Sequence, residues 1–283
     1  MQDIVAIDFH VHPKTAEMLA AEGKRQDLLA KYFGRPFAPV EIDALADIYR
    51  KLRMLAVILN TANAPGADER NVPNERFAEA VKAHPDVLVG FGALDPHDVP
   101  RAVAEVDKIA DLGLRGIGEL GPGWQKFHPN DQRFYPIWER AAKRKLIVMF
   151  HTGMMGLGAG TPGGYGYKLG YNHPVPDLDD IAADFPDLTI VGAHPSWPWV
   201  EEGLAVARHK ANYFIDLSGV APKYFPREVV AYANTLLQDK CLFGSDWPAL
   251  TAERWIGEFD ALGLKAEARQ KILLDNAKKL LGL

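Results

Sequence analysis

Two histidines one residue apart give this sequence its first chemical clue. In Asp8-Phe9-His10-Val11-His12, residues two apart on an extended strand project to one side. Asp8, His10 and His12 are thus expected on a common face, with two imidazoles side by side. A His-x-His pair alone is a weak signal. Its weight comes from three polar residues that each follow an apolar run: His151 in Val148-Met149-Phe150-His151, His194 in Val191-Gly192-Ala193-His194, and Asp246 in Phe243-Gly244-Ser245-Asp246. Three neutral imidazoles and a carboxylate suit Zn²⁺, and also Mn²⁺, Fe²⁺ or Co²⁺. His10, His12, His151 and Asp246 are therefore expected to hold one divalent cation, zinc by ligand type, with manganese as the alternative. Such a cation lowers the pKa of a bound water to about 7 and polarises a carbonyl. His194, with an ordinary pKa of about 6.5, is left for proton transfer. Asp246 is expected both to touch the cation and to accept the proton of the attacking water.

Residues so distant in the chain meet only if the fold gathers them. Eight short apolar, β-branched runs recur: Ile4–Phe9, Met54–Leu59, Val87–Phe91, Leu114–Glu119, Leu146–Phe150, Leu188–Ala193, Tyr213–Leu217 and Cys241–Gly244. Between them lie stretches with apolar residues spaced by three and four: Asn74–Ala83, Val99–Leu112, Gln132–Lys145, Asp177–Phe185, Pro198–Lys210, Arg227–Leu237 and Ala252–Leu262. Alternating strand and helix implies a parallel sheet. Eight units predict a closed (β/α)8 TIM barrel over residues 1–283 as one domain, rather than an open doubly wound sheet. In a barrel the carboxyl ends of the strands converge on one mouth, and every candidate above sits at such an end. The stretch from Lys14 to Arg53 predicts a helical insertion after the first strand, two helices and a loop over the mouth. The Gly-rich stretch from Thr152 to Pro176, with Tyr165, Tyr167, Lys168 and Tyr171, predicts a mobile active-site loop after the fifth strand. It carries no Gly-Lys-Ser/Thr motif, which excludes a phosphate loop.

Bulk properties narrow the classes further. Of 283 residues, 48% are hydrophobic and 24% charged, enough apolar material for a sizeable core. The net charge of −5 and the lack of a Lys/Arg-rich run argue against nucleic acid as a partner. Residues Met1 to Val11 lack the pattern of a secretory leader, and no apolar run approaches the ~18 residues of a membrane span. A cytoplasmic protein is expected. The lone Cys241, inside an apolar run, reads as a buried structural thiol.

Taken together, His10-Val11-His12, Phe150-His151-Thr152-Gly153, Gly192-Ala193-His194-Pro195 and Phe243-Gly244-Ser245-Asp246 resemble the amidohydrolase superfamily. More narrowly they are similar to its amidohydrolase 2 branch, which includes aminocarboxymuconate semialdehyde decarboxylase. The segments Phe127-His128-Pro129-Asn130-Asp131, Phe134-Tyr135-Pro136-Ile137-Trp138-Glu139 and Ala182-Ala183-Asp184-Phe185-Pro186-Asp187-Leu188 add to the likeness. The resemblance implies His10, His12, His151 and Asp246 as metal ligands, His194 as the catalytic histidine, a mononuclear zinc-type centre and frequent homodimers. The chain departs from the wider superfamily in lacking a lysine at the end of the fourth strand, where Glu119 stands instead. Glu119 has three readings: support for a second metal, as in TatD-type deoxyribonucleases; a catalytic pocket carboxylate that meets substrate; or a structural partner of Arg115. Decarboxylases of the branch supply arginines for the substrate carboxylate. None can be assigned from the sequence, and Lys223 and Arg227 are the nearest candidates, with exposed loop charge as the alternative.

Trp124, Trp197, Trp199 and Trp247 fall in loops just past strand ends, where indoles could rim a pocket for a flat substrate. Trp124 and Trp197 are the candidates for substrate contact, whereas Trp199 and Trp247 can equally pack between loops. His84, His97, His128, His173 and His209 lie away from strand ends and read as surface or loop histidines. The expected function is a metal-dependent hydrolase acting on a carbonyl of a small organic acid, ester, lactone or β-dicarbonyl compound. The alternatives are non-oxidative decarboxylation at the same site and a non-catalytic binding barrel.

Overall fold

The computed structural model describes residues 4–62 and 71–283. Eight strands occur in it: β1 Ala6–Val11, β2 Met54–Leu59, β3 Leu88–Gly92, β4 Gly116–Leu120, β5 Ile147–His151, β6 Thr189–Ala193, β7 Tyr213–Asp216 and β8 Cys241–Leu242. Each pairs in parallel with the next, in the order β1 to β8. The ring closes through backbone bonds from Phe9 N to the Phe243 oxygen at 2.8 Å and from His12 N to the Trp247 oxygen at 2.9 Å. The fold is the expected TIM barrel.

Helices fill the connections: α1 Ala16–Glu22, α2 Lys24–Phe33 and α3 Ile42–Leu52 after β1; α4 Asn74–Ala83 after β2; α5 Val99–Asp111 after β3; α6 Pro122–Gln125 and α7 Tyr135–Lys143 after β4. Then come α8 Asp179–Asp184, α9 Val200–His209, α10 Arg227–Ala233, α11 Ala252–Asp260, α12 Ala266–Gln270 and α13 Asn276–Leu281. The physics of α5 is typical. The Asp98 side chain caps its first turn by accepting from Arg101 N, a proline occupies that turn, and Ala102, Val106 and Ile109 form a stripe at helical spacing that faces the strands.

The strands alternate between two apolar layers. Ile7, Phe9, Leu55, Val57, Phe91, Ile147, Met149 and Val191 fill the barrel interior, where Leu274, Ala277 and Leu281 join them from the C-terminal segment. Ala56, Ile58, Val148, Phe150 and Ile190 face outward, against a layer that contains Trp138 and Trp255, both fully buried. Each large apolar side chain so buried contributes about 1.5–3 kcal/mol.

Two expectations are corrected, and one segment carries helices that the spacing of apolar residues did not mark. The stretch from Lys14 to Arg53 holds three helices rather than two. Gly23, at φ 51°, breaks the first pair, and α3 is the barrel's own first helix. The segment after α11 carries two further helices, α12 and α13, joined by the π-helical residues Lys271–Asp275. Finally, Asp8 does not share a site with His10 and His12, because the pairing of β1 with β2 shifts register between Asp8 and Val11. Asp8 turns toward α3, where Oδ2 accepts from the Tyr49 hydroxyl at 2.7 Å and the Ser245 hydroxyl at 2.6 Å. Its Oδ1 accepts from Ser245 N at 2.8 Å.

Asp8 therefore clamps the first strand to the last. Its Oδ1 also accepts from His10 N at 3.3 Å, so replacing it by alanine strands four buried donors, and Asp8→Ala is expected to cost about 3 kcal/mol in thermal or urea denaturation, against about 1 kcal/mol for Ser245→Ala. Equal losses in the two variants would mean that the carboxylate clamps nothing.

Candidate metal centre

The carboxyl ends of six strands supply the polar residues at the mouth. His10 and His12 come from β1 and the residue just after it, Glu119 from β4, His151 from the end of β5, His194 from just after β6, and Asp216 from the end of β7; Asp246 stands four residues past β8. Two of these positions have an unusual backbone. His194 at φ 74° and Asp246 at φ 56° are left-handed, a conformation that costs a side-chain-bearing residue about 1–3 kcal/mol and clusters at functional sites.

His10 Nε2 and His12 Nε2 lie 2.9 Å apart. Asp246 Oδ1 is 3.6 Å from the first and 3.4 Å from the second, and Glu119 Oε2 is 3.9 Å and 3.7 Å from them. The edge of a tetrahedron with metal–ligand bonds of 2.1 Å is about 3.4 Å, so this spacing fits ligands of one cation. The other oxygen of Glu119 faces a second pair: Oε1 is 2.7 Å from His151 Nδ1 and 3.5 Å from His194 Nε2. The geometry thus groups His10 and His12 with Glu119, sets Asp246 beside the same two imidazoles, and brings His151 and His194 to the far side of Glu119. Arg115, weighed above as a partner for Glu119, donates instead to the backbone oxygen of Leu281.

The electrostatics are those of an anionic pocket in a dry place. Burial alone would raise Glu119, but His151, and then His194 and His10, hold it well below the usual carboxylate range. Burial likewise opposes ionisation of Asp246, yet a hydrogen bond from His12 and the nearby imidazoles keep it low. Burial pushes His12 down toward the neutral form that ligates a metal. His10 behaves oppositely: burial disfavours its charge, but Asp216 beside it outweighs that and raises it to about 10. Burial also disfavours charge on His194, and Glu119 reverses the balance upward.

Asp216 was not singled out from the sequence. Its Oδ2 accepts from His10 Nδ1 at 2.5 Å, which orients the ring so that Nε2 points into the cluster. The available signal was its place at the end of an apolar run, the same position as the other candidates. Arg25 was also missed. It lies on α2 within the insertion, with its guanidinium 5.2 Å from the Trp124 ring, and it lines the cleft above the cluster.

That cleft has a volume of about 390 Å³. Its floor is His12, Glu119, His151, His194 and Asp246, and its walls are mostly apolar: Leu29, Tyr32, Phe33 and Phe37 face Met154, Met155 and Leu157. The insertion therefore covers the mouth, and the residues following β5 form one wall. Tyr165, Tyr167, Lys168 and Tyr171 lie farther along that stretch and do not line the cleft. Trp124 is buried in the wall with Nε1 donating to the Ala62 oxygen at 3.0 Å, and Trp197, 60% exposed, stands at the rim. Lys223 and Arg227 are not part of the lining, although Tyr224 and Pro226 are. The Lys223 ammonium lies over the Tyr224 ring, 5.0 Å away, and 4.0 Å from Glu258.

The remaining candidates sit elsewhere. Trp199 packs on His173 with ring centres 4.4 Å apart, and Trp247 is buried at the barrel seam. His128 pairs with Asp177 at 2.9 Å, and His97 bonds the Gln125 oxygen at 2.6 Å. Cys241 is buried, and burial pushes its thiol up to about 12.

A parallel barrel that carries histidines and carboxylates around a common point, beneath an apolar cleft, defines a class of metal-type barrel enzymes. The family model described as amidohydrolase matches residues 7–283, and the chain belongs to that family. Among solved structures, an uncharacterised TIM-barrel protein from Bordetella bronchiseptica is similar at 27% identity, with a TM-score of 0.82 and 98% of both chains covered. A probable 2-pyrone-4,6-dicarboxylic acid hydrolase from Acinetobacter baumannii shares the fold at 15% identity and a TM-score of 0.66, over 99% of this chain and 100% of that one. So does a dihydroxybenzoic acid decarboxylase from Polaromonas sp. JS666, with bound manganese and the inhibitor 2-nitroresorcinol, at 16% identity and a TM-score of 0.66, over 99% of this chain and 97% of that one. A search of curated protein sequences found no match. Among the described residues, no helix is long and apolar enough to cross a membrane.

Because His10 is raised to about 10, a cation that binds its Nε2 displaces a proton at neutral pH. Zinc affinity, measured by competition with a chelator, should therefore rise about tenfold per pH unit between about pH 6 and pH 8. Asp216→Asn removes the carboxylate that holds this proton. It should weaken zinc binding roughly 10–100-fold and flatten the slope; an unchanged affinity would remove Asp216 from the centre.

Proposed function

We propose that this chain is a metal-dependent hydrolase that adds water to a carbonyl carbon of a small organic acid, ester, lactone or β-dicarbonyl compound. One divalent cation, zinc by ligand type and manganese as the alternative, is held by His10, His12 and Asp246. His151 completes the set, and Glu119 lies between it and the rest. The observation that carries this reading is the approach of His10 Nε2, His12 Nε2 and Asp246 Oδ1 to within 3.6 Å of one another, with His10 buried beneath a cleft whose floor holds His12, Asp246 and His194. A cation in that position supplies Lewis-acid polarisation of the carbonyl oxygen.

The rest of the chemistry falls to the chain. Asp246 and His194 share the cleft floor; the one proton lost by the attacking water goes to Asp246, passes to His194 and from there to the leaving oxygen or carbon. Glu119, 3.5 Å from His194 Nε2, favours the protonated ring once it has formed. The Trp124 wall and Trp197 rim suit a planar acyl group, and Arg25 offers a guanidinium to a substrate carboxylate. Leu29, Tyr32 and Phe33 of the otherwise polar α2 put an apolar wall above the floor, where low polarity strengthens each of these interactions.

Arg25 is also the observation that favours a second reading, decarboxylation at the same site. There the substrate carboxylate leaves as CO2, the electron pair of the broken bond stays on carbon, and His194 donates the proton. The two reactions differ in what they release. Zinc- and manganese-loaded protein should be screened against lactones, β-keto acids and hydroxybenzoates, with proton release and CO2 followed separately. Proton release without CO2 supports hydrolysis, and CO2 would overturn it.

Elemental analysis is expected to find about one cation per chain; two would turn Glu119 into a bridging ligand and end the mononuclear assignment. His194→Asn should keep the bound metal and lower turnover by about 10²–10⁴-fold. Full turnover in that variant would make His194 structural. A barrel that only binds its ligand would show no turnover of any compound and no effect of this substitution on affinity.

A further inference from the structure

Just past the seventh strand, a carboxylate and a hydroxyl connect two histidines that the proposed reaction uses differently. Asp216 ends β7 and Ser218 follows two residues later, both fully buried. Asp216 Oδ2 takes the His10 Nδ1 hydrogen bond at 2.5 Å and that of the Ser218 hydroxyl at 2.9 Å, while its Oδ1 accepts from Ser218 N at 3.0 Å. On its other side, Ser218 Oγ is 2.9 Å from His194 Nδ1.

A serine hydroxyl has one proton to give, and a carboxylate has none. With the Ser218 proton directed at Asp216, its oxygen can only accept from His194, so His194 Nδ1 must carry a hydrogen. The neutral ring then has its lone pair on Nε2, the atom that faces Glu119 Oε1 at 3.5 Å beside the cleft. Between these two acceptors there is room for one proton or one cation. The packing is built around this arrangement. A methyl carbon at Gly219 would stand 2.3 Å from His194 Nδ1, and one at Gly244 would stand 2.2 Å from Asp216 Oδ1 and 2.9 Å from Ser218 Cβ. Neither position tolerates a side chain without displacing the pair.

We propose that Ser218 is a positioning residue: anchored by Asp216, it holds the His194 proton on Nδ1 and so presents an unprotonated Nε2 to the substrate. Asp216 thereby orients a metal-binding imidazole and a proton-transferring imidazole through the same oxygen. The inference deepens the hydrolase reading and rests on it only for the claim that His194 acts on substrate; the tautomer can be read without any substrate.

The test uses zinc-loaded protein with ¹⁵N-labelled histidine rings, observed by NMR at a pH where His194 is neutral, with its signals identified by their loss in His194→Asn. Wild type should show a protonated Nδ1 and an unprotonated Nε2. In Ser218→Ala the preference should fall about tenfold, so that Nε2–H becomes visible, and Ser218→Thr, which keeps the hydroxyl, should restore the wild-type pattern. Zinc content of all three should be equal. A wild-type His194 protonated at Nε2 overturns the proposal even if Ser218→Ala fails to fold, as does a Ser218→Ala spectrum identical to wild type. If the tautomer shifts as expected but no compound in the screen is turned over, the hydrolase reading fails and the assignment of Ser218 stands.

Discussion

A parallel barrel depends on one weak place, the seam where its last strand meets its first. Here β8 is two residues long, and closure rests on the Phe9–Phe243 and His12–Trp247 backbone bonds with Asp8 gripping Ser245. This seam also sets the site. His10 and His12 lie on one side of it and Asp246 on the other, so the three meet only because the ring is shut. The fold and the candidate centre therefore share a single dependency, and the buried Asp8 carboxylate serves both without touching the cation.

The second constraint is charge. Glu119 is a buried anion and Asp246 a half-buried one, a few ångströms from the same imidazoles, an arrangement that low polarity would make costly without compensation. Histidines supply it from one side and a bound cation would supply it from the other. The left-handed backbone at His194 and Asp246 is a related cost, absorbed by a scaffold that is otherwise close-packed and apolar in both layers. Two of the left-handed side-chain-bearing residues thus fall where chemistry is proposed, and the others, Arg53, Lys126, Lys145, Tyr165 and Ser196, sit at turns and loops outside the cluster.

Much of this was legible in the sequence, for identifiable reasons. Strands such as Met54–Leu59 are apolar on both faces because both are covered, so their composition marks them clearly. His151, His194 and Asp246 stood out because polar residues directly after such runs have little reason to be there. Asp216 follows the same rule, yet it hid within Tyr213-Phe214-Ile215-Asp216-Leu217, where the apolar residues resume directly after it. The two-residue alternation placed Asp8 with the histidines, and the register shift in β1 defeated it. Arg25 could not be found at all, since the way α2 folds over Trp124 is a tertiary event with no periodic trace. The same holds for the grouping of His151 and His194 around Glu119, which depends on side-chain reach across the mouth rather than on order along the chain.

The plug formed by Leu274, Ala277 and Leu281 has a consequence for how the molecule acquires its shape. These residues seal the interior beside Ile7 and Phe9, and Asp8 bonds Ser245 across 237 positions. No local stretch can hide the inner faces of its strands by itself. Until the two ends of this span find each other, a folding intermediate must carry open, sticky strand surfaces, the condition that slows high-contact-order chains and invites self-association. The same long-range closure that gathers the histidines would make this barrel a protein whose maturation is sensitive to concentration.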